Sequence, residues 1–139
     1  MSIWIRLLMI VNVFIYRLTR GLLGSKMAGQ SVLLLYTVGR KSGRSFTTPV
    51  NYYGDGENYV LVASNWGKDN HPAWFYNLMQ QPNTKVQVKA QIIRVAARQA
   101  TGQEYERLWT FVTSKNNYYA RYQAGTKRRI PIVILVPQT

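Results

Sequence analysis

Hydrophobic and polar positions divide this chain into one long apolar run, several short strand-like segments and two helical stretches. Residues Ile3 to Leu18 are almost wholly apolar, broken only by Arg6, Asn12 and Arg17. The longest uncharged part, Leu7 to Tyr16, is about half the roughly 20 residues that a spanning helix needs. It is followed by Tyr16-Arg-Leu-Thr-Arg20, which lacks the small residues of a secretory cleavage site. At helical spacing Arg6, Arg17 and Arg20 share a sector of roughly 60°. An apolar helix with Trp4 near its start and a basic stripe suits the surface of an anionic membrane. A helix packed on its own domain with its arginines in water is the plainer alternative. Gly21, Gly24 and Gly29 are expected to end this helix and lead into the core.

Beyond it, Ser31–Val38 is rich in strand formers and is closed by Gly39. A turn over Arg40–Arg44 leads to a strand over Thr47–Tyr53, and Gly54-Asp-Gly56 is the expected hairpin turn. Asn58–Ser64 is a third strand. Its Tyr59, Leu61 and Ala63 alternate with Val60 and Val62, which predicts burial of both faces. A polar loop, Asn65–Asn70, precedes a short helix over Pro72–Gln80 with proline in its first turn. Thr84–Ala90 and Gln91–Arg98 form another strand pair. Thr101 with Glu104 three residues on has the form of a capping box. The helix after it gathers Tyr105, Leu108, Trp109 and Val112 on one face. Asn116–Gln123 has no clear pattern, and Ile130–Val136 is a last strand with Pro131 at its start. No repeat or linker divides these elements. About six strands with two or three helices predict an α+β split β-barrel with helices across its openings.

Composition then narrows the chemistry. The chain has 139 residues, 47 % hydrophobic and 17 % charged, which fits a folded single domain. It has no cysteine and one histidine, His71, which excludes disulfides, thiolate metal sites and multi-histidine zinc. Eighteen Lys and Arg against five Asp and Glu give a net charge of +13, so an anionic partner is expected. None of the carboxylates pairs in a way that suits glycosidase or two-metal chemistry.

Three stretches can carry function. In Gly39-Arg-Lys-Ser-Gly43, followed by Arg44, glycines free the backbone to turn while Arg40, Lys41 and Ser42 supply donors. That is a nest for phosphate or carboxylate, without the spacing of a Walker loop. A solvated basic turn is the alternative. Ala63-Ser-Asn-Trp-Gly-Lys-Asp-Asn-His-Pro-Ala-Trp74 combines hydrogen-bonding Ser64 and Asn65 with the flat faces of Trp66 and Trp74, which suits a planar heteroaromatic ligand. Trp74 as core and His71 as a helix cap are the structural readings, and for His71 alone the cap is preferred. Tyr118-Tyr119-Ala-Arg-Tyr122 offers flat faces and phenolic donors. Beside Lys127-Arg-Arg129 it also permits nucleic-acid stacking with phosphate contacts.

Taken together, Leu33–Gly43 with Thr48-Pro49, then Val62–Gly67 with His71-Pro-Ala-Trp74 and Asn77-Leu78, then Tyr119–Gln123 with Arg129–Ile134 resemble the deazaflavin-dependent nitroreductase family. These are small split-barrel reductases that use reduced coenzyme F-420, an 8-hydroxy-5-deazaflavin. The resemblance implies a barrel related to the pyridoxamine-phosphate oxidases and a cofactor tail bearing phosphate and glutamates. It implies that Arg40, Lys41, Ser42, Gly43 and Arg44 hold the phosphate. Pro49, Val50, Ala63, Ser64, Asn65, Trp66 and Gly67 would line the ring, and Trp74 would support the wall. Tyr119 and Tyr122 match tyrosines that close over the ring and face the substrate, and Ser64 matches a hydrogen-bond donor to substrate oxygen. Departures are Phe46 where an arginine is common after the turn, and Asn51 and Asn65 where a nitroimidazole-reducing member has tyrosine and lysine.

The resulting expectation is a quinone or nitroaromatic reductase with no metal and no nucleic-acid partner. It would be cytoplasmic and peripheral on the inner membrane face, with residues 1–24 as an amphipathic helix and 25–139 as the deazaflavin-binding domain. The same barrel with FMN, and a basic nucleic-acid-binding module, are the alternatives.

Overall fold

The computed structural model describes residues 3–18, 26–27 and 30–139. Arg20 of the expected basic stripe, and the glycines at 21, 24 and 29 expected to close the first helix, lie outside them. The elements are α1 (Ile3–Leu18), β1 (Lys26–Met27), β2 (Gln30–Val38), β3 (Ser45–Asn51), β4 (Tyr53–Asp55), β5 (Asn58–Val62), α2 (Ala73–Gln80), β6 (Asn83–Val88), β7 (Gln91–Gln99), α3 (Gly102–Lys115), α4 (Tyr118–Ala124) and β8 (Ile132–Pro137). A three-residue 3-10 turn, Asn65–Gly67, follows β5.

The strands pair antiparallel in the order β1-β2-β6-β7-β8-β5-β4, with β3 also on β2. Leu34 pairs with Pro49, and Tyr53 pairs with Val60. β3 and β4 are separated by Tyr52 alone, and they join β2 at one end of the order to β5 at the other. This bend curls the sheet into the expected split barrel. Among the described residues β3 pairs with β2 alone, so Pro49, which lacks an N–H, is tolerated in it.

Two apolar cores fill the fold. Leu33, Leu35, Leu61, Val86, Val133 and Leu135 pack with Phe75 and Leu78 of α2. Val60, Ile132 and Ile134 point the other way, onto Tyr105, Leu108, Val112 and Tyr119 of α3 and α4. Alternation on β5 and β8 therefore buries both faces, as the pattern of β5 predicted. Each fully buried Leu or Ile contributes about 1.5–3 kcal/mol relative to exposure.

Several local expectations change. The tight turn after β4 is Gly56-Glu57, with Gly56 at φ +62°, and Gly54 belongs to the strand. Pro72 precedes α2 as its cap residue and does not lie in its first turn. Thr101 makes no side-chain cap, because Glu104 turns away to form two hydrogen bonds with Arg98 at 2.6 and 3.0 Å. The tyrosine-rich stretch without a clear pattern forms α4, since Tyr119 has a core to enter.

α1 lies against β3. Ile5, Met9 and Val13, four residues apart, are half-buried. Ile3, Trp4, Leu7, Leu8, Ile10 and Val11 are exposed, Trp4 at 73 %. Among the described side chains of α1, the apolar arc is thus wider than the face that meets β3. No described helix is long and apolar enough to cross a membrane.

Candidate active site

Two turns at one end of the barrel, joined by α2, make the site. The first connects β2 to β3. Gly39 N–H donates to Arg44 O at 2.8 Å, Gly43 N–H to Gly39 O at 2.9 Å, and Arg44 N–H to the Ser42 hydroxyl at 3.2 Å. Gly43 has φ +71°, and a Cβ on Gly39 would lie 2.6 Å from Ser42 Oγ, so both glycines are required. Arg40 N–H donates to Asn77 Oδ1 of α2 at 3.0 Å, and the Arg40 guanidinium lies 4.2 Å from the Tyr76 ring centre. Among the described residues the ion pairs are Arg98–Glu104, Arg107–Asp55 and Arg129–Glu106. The cations of this turn therefore have no carboxylate, and they remain available to an external anion.

Beside the turn is a cavity of about 280 Å³, lined by Arg40, Lys41, Ser42, Thr48 and Trp74, with Thr37 at its wall. Thr37 is 4 % exposed, and its hydroxyl is the buried side-chain polar atom without a hydrogen-bond partner among the described residues. Buried hydroxyls are normally paired. An unpaired one beside unneutralised cations is what a phosphate-bearing ligand would complete. The volume is small for a complete cofactor and ample for a phosphate with its linker. Arg44 is exposed and does not line the cavity.

The second turn follows β5. Asn65, Trp66 and Gly67 all have positive φ, at 48°, 59° and 77°. Left-handed backbone is rare for a bulky residue, and strained positions cluster at functional sites. Trp66 is 60 % exposed, so burial of its own ring does not explain the strain. A Cβ on Gly67 would lie 3.1 Å from Cα and Cβ of Tyr122, so the turn rests directly on α4. Ser64, Asn65, Trp66, Gly67 and Tyr122 are thus brought together.

Tyr119 lies elsewhere. It is 5 % exposed in the second core, with its hydroxyl 2.9 Å from that of Tyr53. Burial, then the Tyr53 hydrogen bond, raises its pKa far above the ordinary phenol value. The phenol is thus held protonated within the core. Asn51, a departure from the resembled pattern, also hydrogen-bonds this hydroxyl. Pro49 and Val50 are half-buried on β3, with Val50 against the first core. Trp74 is both wall and packing, since it lines the cavity and touches that core.

His71 does not cap α2. Its Nδ1 lies 2.9 Å from Arg128 Nη1, and burial followed by the Arg128 charge lowers its pKa. Arg128 is the residue that the sequence concealed. It sits in a run of three cations, yet its guanidinium turns inward to the loop after β5.

The family described as F420H(2)-dependent quinone reductase matches residues 8–137. The F420H(2)-dependent quinone reductase Rv1261c of Mycobacterium tuberculosis is 38 % identical over 125 residues, 87 % of this chain and 84 % of that protein. The solved F420-H2 dependent reductase FDR-A is 32 % identical with a TM-score of 0.68, covering 75 % of this chain and 92 % of that one. A domain-swapped dimer at 29 % identity has a TM-score of 0.71 over 91 % of this chain and 96 % of its own. Of the cofactors left open by the sequence, this family uses the deazaflavin rather than FMN. The chain belongs to the F420H(2)-dependent quinone reductase family, an enzyme family of oxidoreductases built here on a split β-barrel.

Proposed function

We propose that this chain reduces quinones with reduced coenzyme F-420 at the end of the barrel between the two turns. The observation that carries the reading is the Gly39–Arg44 turn, whose unneutralised cations adjoin the unpaired Thr37 hydroxyl. Arg40, Lys41 and Ser42, with the N–H groups of the turn, bind the phosphate, and Arg44 extends the positive field toward the tail carboxylates. Pro49, Val50 and the Ala63–Gly67 loop border the ring, with Trp74 as the wall of the cavity. When bound, the reduced deazaflavin supplies a hydride from C5 to an electron-poor acceptor. Ser64 and Tyr122 orient the acceptor oxygen and deliver or relay the proton that, with the hydride, converts quinone to hydroquinone. Tyr119 acts from behind, by holding α4 to the core. Nitroaromatics are adventitious acceptors in this reading.

The exposed apolar face of α1, with Arg6 also exposed, supports a peripheral position on an anionic membrane, where lipid-soluble quinone collects. Co-sedimentation with anionic vesicles checks this, and binding should weaken in Trp4→Asp and Leu8→Asp. Vesicle-independent dimerisation through α1 would replace the membrane with a second copy.

The central experiment mixes purified protein with reduced F-420 and menadione. Cofactor oxidation, with binding that weakens as salt rises, is expected. The absence of both binding and oxidation would falsify the reading.

A further inference from the structure

The turn that presents Trp66 is held in an unfavourable shape by something outside itself. Its own hydrogen bonds are few: Gly67 N–H to Ser64 O at 2.9 Å, Lys68 N–H to Asn65 O at 3.1 Å, and Asn65 Nδ2 to Asn70 O at 2.9 Å. Two of its three left-handed residues are not glycine, and the larger of them faces solvent.

Arg128 supplies what is missing. Nε donates to Lys68 O at 2.7 Å, Nη2 to Ser64 O at 2.6 Å, and Nη1 to Ala63 O at 3.2 Å. These carbonyls flank the turn on both sides. Nη1 also meets His71 Nδ1 at 2.9 Å. Arginine has no acceptor, so Nδ1 accepts and the proton of a neutral His71 sits on Nε2. The fork is itself fixed from behind: Gln123 Nε2 donates to Arg128 O at 2.6 Å, and Ile130 N–H donates to Gln123 Oε1 at 2.9 Å. Thr126 Oγ1 donates to Asp69 Oδ1 at 2.9 Å, a second tie between the same segments. No lysine could replace this fork, because an ammonium has no planar array of donors.

We propose that Arg128, seated on His71, is a positioning residue that holds the Asn65–Gly67 turn in its left-handed form and so sets Ser64 and Trp66 toward the acceptor. This rests on the reading that the loop meets cofactor and acceptor. It assigns to Arg128 a role distinct from anion binding, since its donors are committed to carbonyls. It also gives the histidine a purpose. The His71 ring lies 5.5 Å from that of Tyr76, which also meets the Arg40 guanidinium. The brace therefore abuts the anion turn through two aromatic rings. The charged and titratable groups around His71 are Arg128, Tyr76 and, beyond them, Asp69, Lys68 and Arg40.

The test begins on cofactor-free protein. Amide hydrogen exchange at Gly67 and Lys68 should accelerate at least tenfold in Arg128→Met and Arg128→Lys, while amides of β5 and β8 stay protected. Arg129→Ala should leave both turn amides unchanged, because Arg129 lies on the Tyr105 ring and pairs with Glu106. With reduced F-420 and menadione, both Arg128 variants should lower kcat at least tenfold, with affinity for inorganic phosphate unchanged. Ring 15N shifts of wild-type His71 should report a proton on Nε2, a reading that needs no variant to fold. Unaltered exchange in folded Arg128→Met, or a proton on Nδ1 of neutral His71, overturns the brace. Wild-type protein that fails to oxidise reduced F-420 overturns the proposed function and leaves the exchange and tautomer readings to decide the brace alone.

Discussion

The two turns of the site solve opposite problems. Gly39–Arg44 is closed by bonds within itself, places its one left-handed residue at a glycine, and leaves its cations without carboxylates. Asn65–Gly67 puts three successive residues in left-handed backbone, and its fastenings come from Arg128, some 60 positions away in the chain. The first is a local device for holding charge, which needs only adjacent residues. The second is a shape imposed from outside, and such shapes can set an aromatic ring where local preference would not.

Substitutions can separate the two. Arg40→Ala with Lys41→Ala should have the largest effect, a loss of F-420 affinity of at least roughly 100-fold if each charge-assisted contact is worth about 1.5–3 kcal/mol. Titration by fluorescence checks it, and the salt dependence of binding should flatten as well. Thermal stability should hardly change, because these cations have no described ion pairs to lose. Gly67→Ala attacks the other turn. It meets both the positive φ and the close Tyr122 backbone, so a destabilisation on the order of 2 kcal/mol is expected by denaturant unfolding, with phosphate binding intact.

Tyr119→Phe tests whether the buried tyrosine supports or reacts. It removes one hydrogen bond of the buried Tyr53 hydroxyl and should cost about 1 kcal/mol of stability, with a smaller loss of kcat than Tyr122→Phe causes. Equal losses of kcat would break the distinction drawn between them. The smallest effect is on acid stability. His71 titrates below its ordinary value of 6.5 in the folded chain, so the unfolded chain binds the proton first. Its contribution is complete above about pH 6.5 and declines as pH falls through the lower folded value. A His71→Gln variant should lose this part of the pH dependence in thermal unfolding.

The same contrast explains what the sequence made legible. Alternation on Asn58–Ser64 announced two-sided burial, because strand periodicity is written in consecutive residues. The glycine-flanked basic turn was visible for the same reason. Arg128 was not, because Lys127, Arg128 and Arg129 are chemically alike in sequence and only their surroundings differ. Arg129 finds Glu106 and the face of Tyr105, whereas Arg128 finds three carbonyls and a histidine. Tyr118, Tyr119 and Tyr122 likewise look equivalent in sequence, until the core takes Tyr119. Glu104 had the spacing of a capping box, and Arg98, on the neighbouring strand, outcompeted the helix end for its carboxylate.

The unpaired hydroxyl of Thr37 links occupancy to endurance. Without a ligand the chain bears the cost of a desolvated, unbonded donor, about 1–3 kcal/mol. A ligand atom that accepts from it would remove that cost only in the folded state, so a cofactor bound as proposed would act as a conditional stabiliser. Replacing Thr37 with the isosteric Val should invert the usual outcome of a site mutation. The empty protein should melt later than wild type, and added F-420 should raise its melting temperature by less.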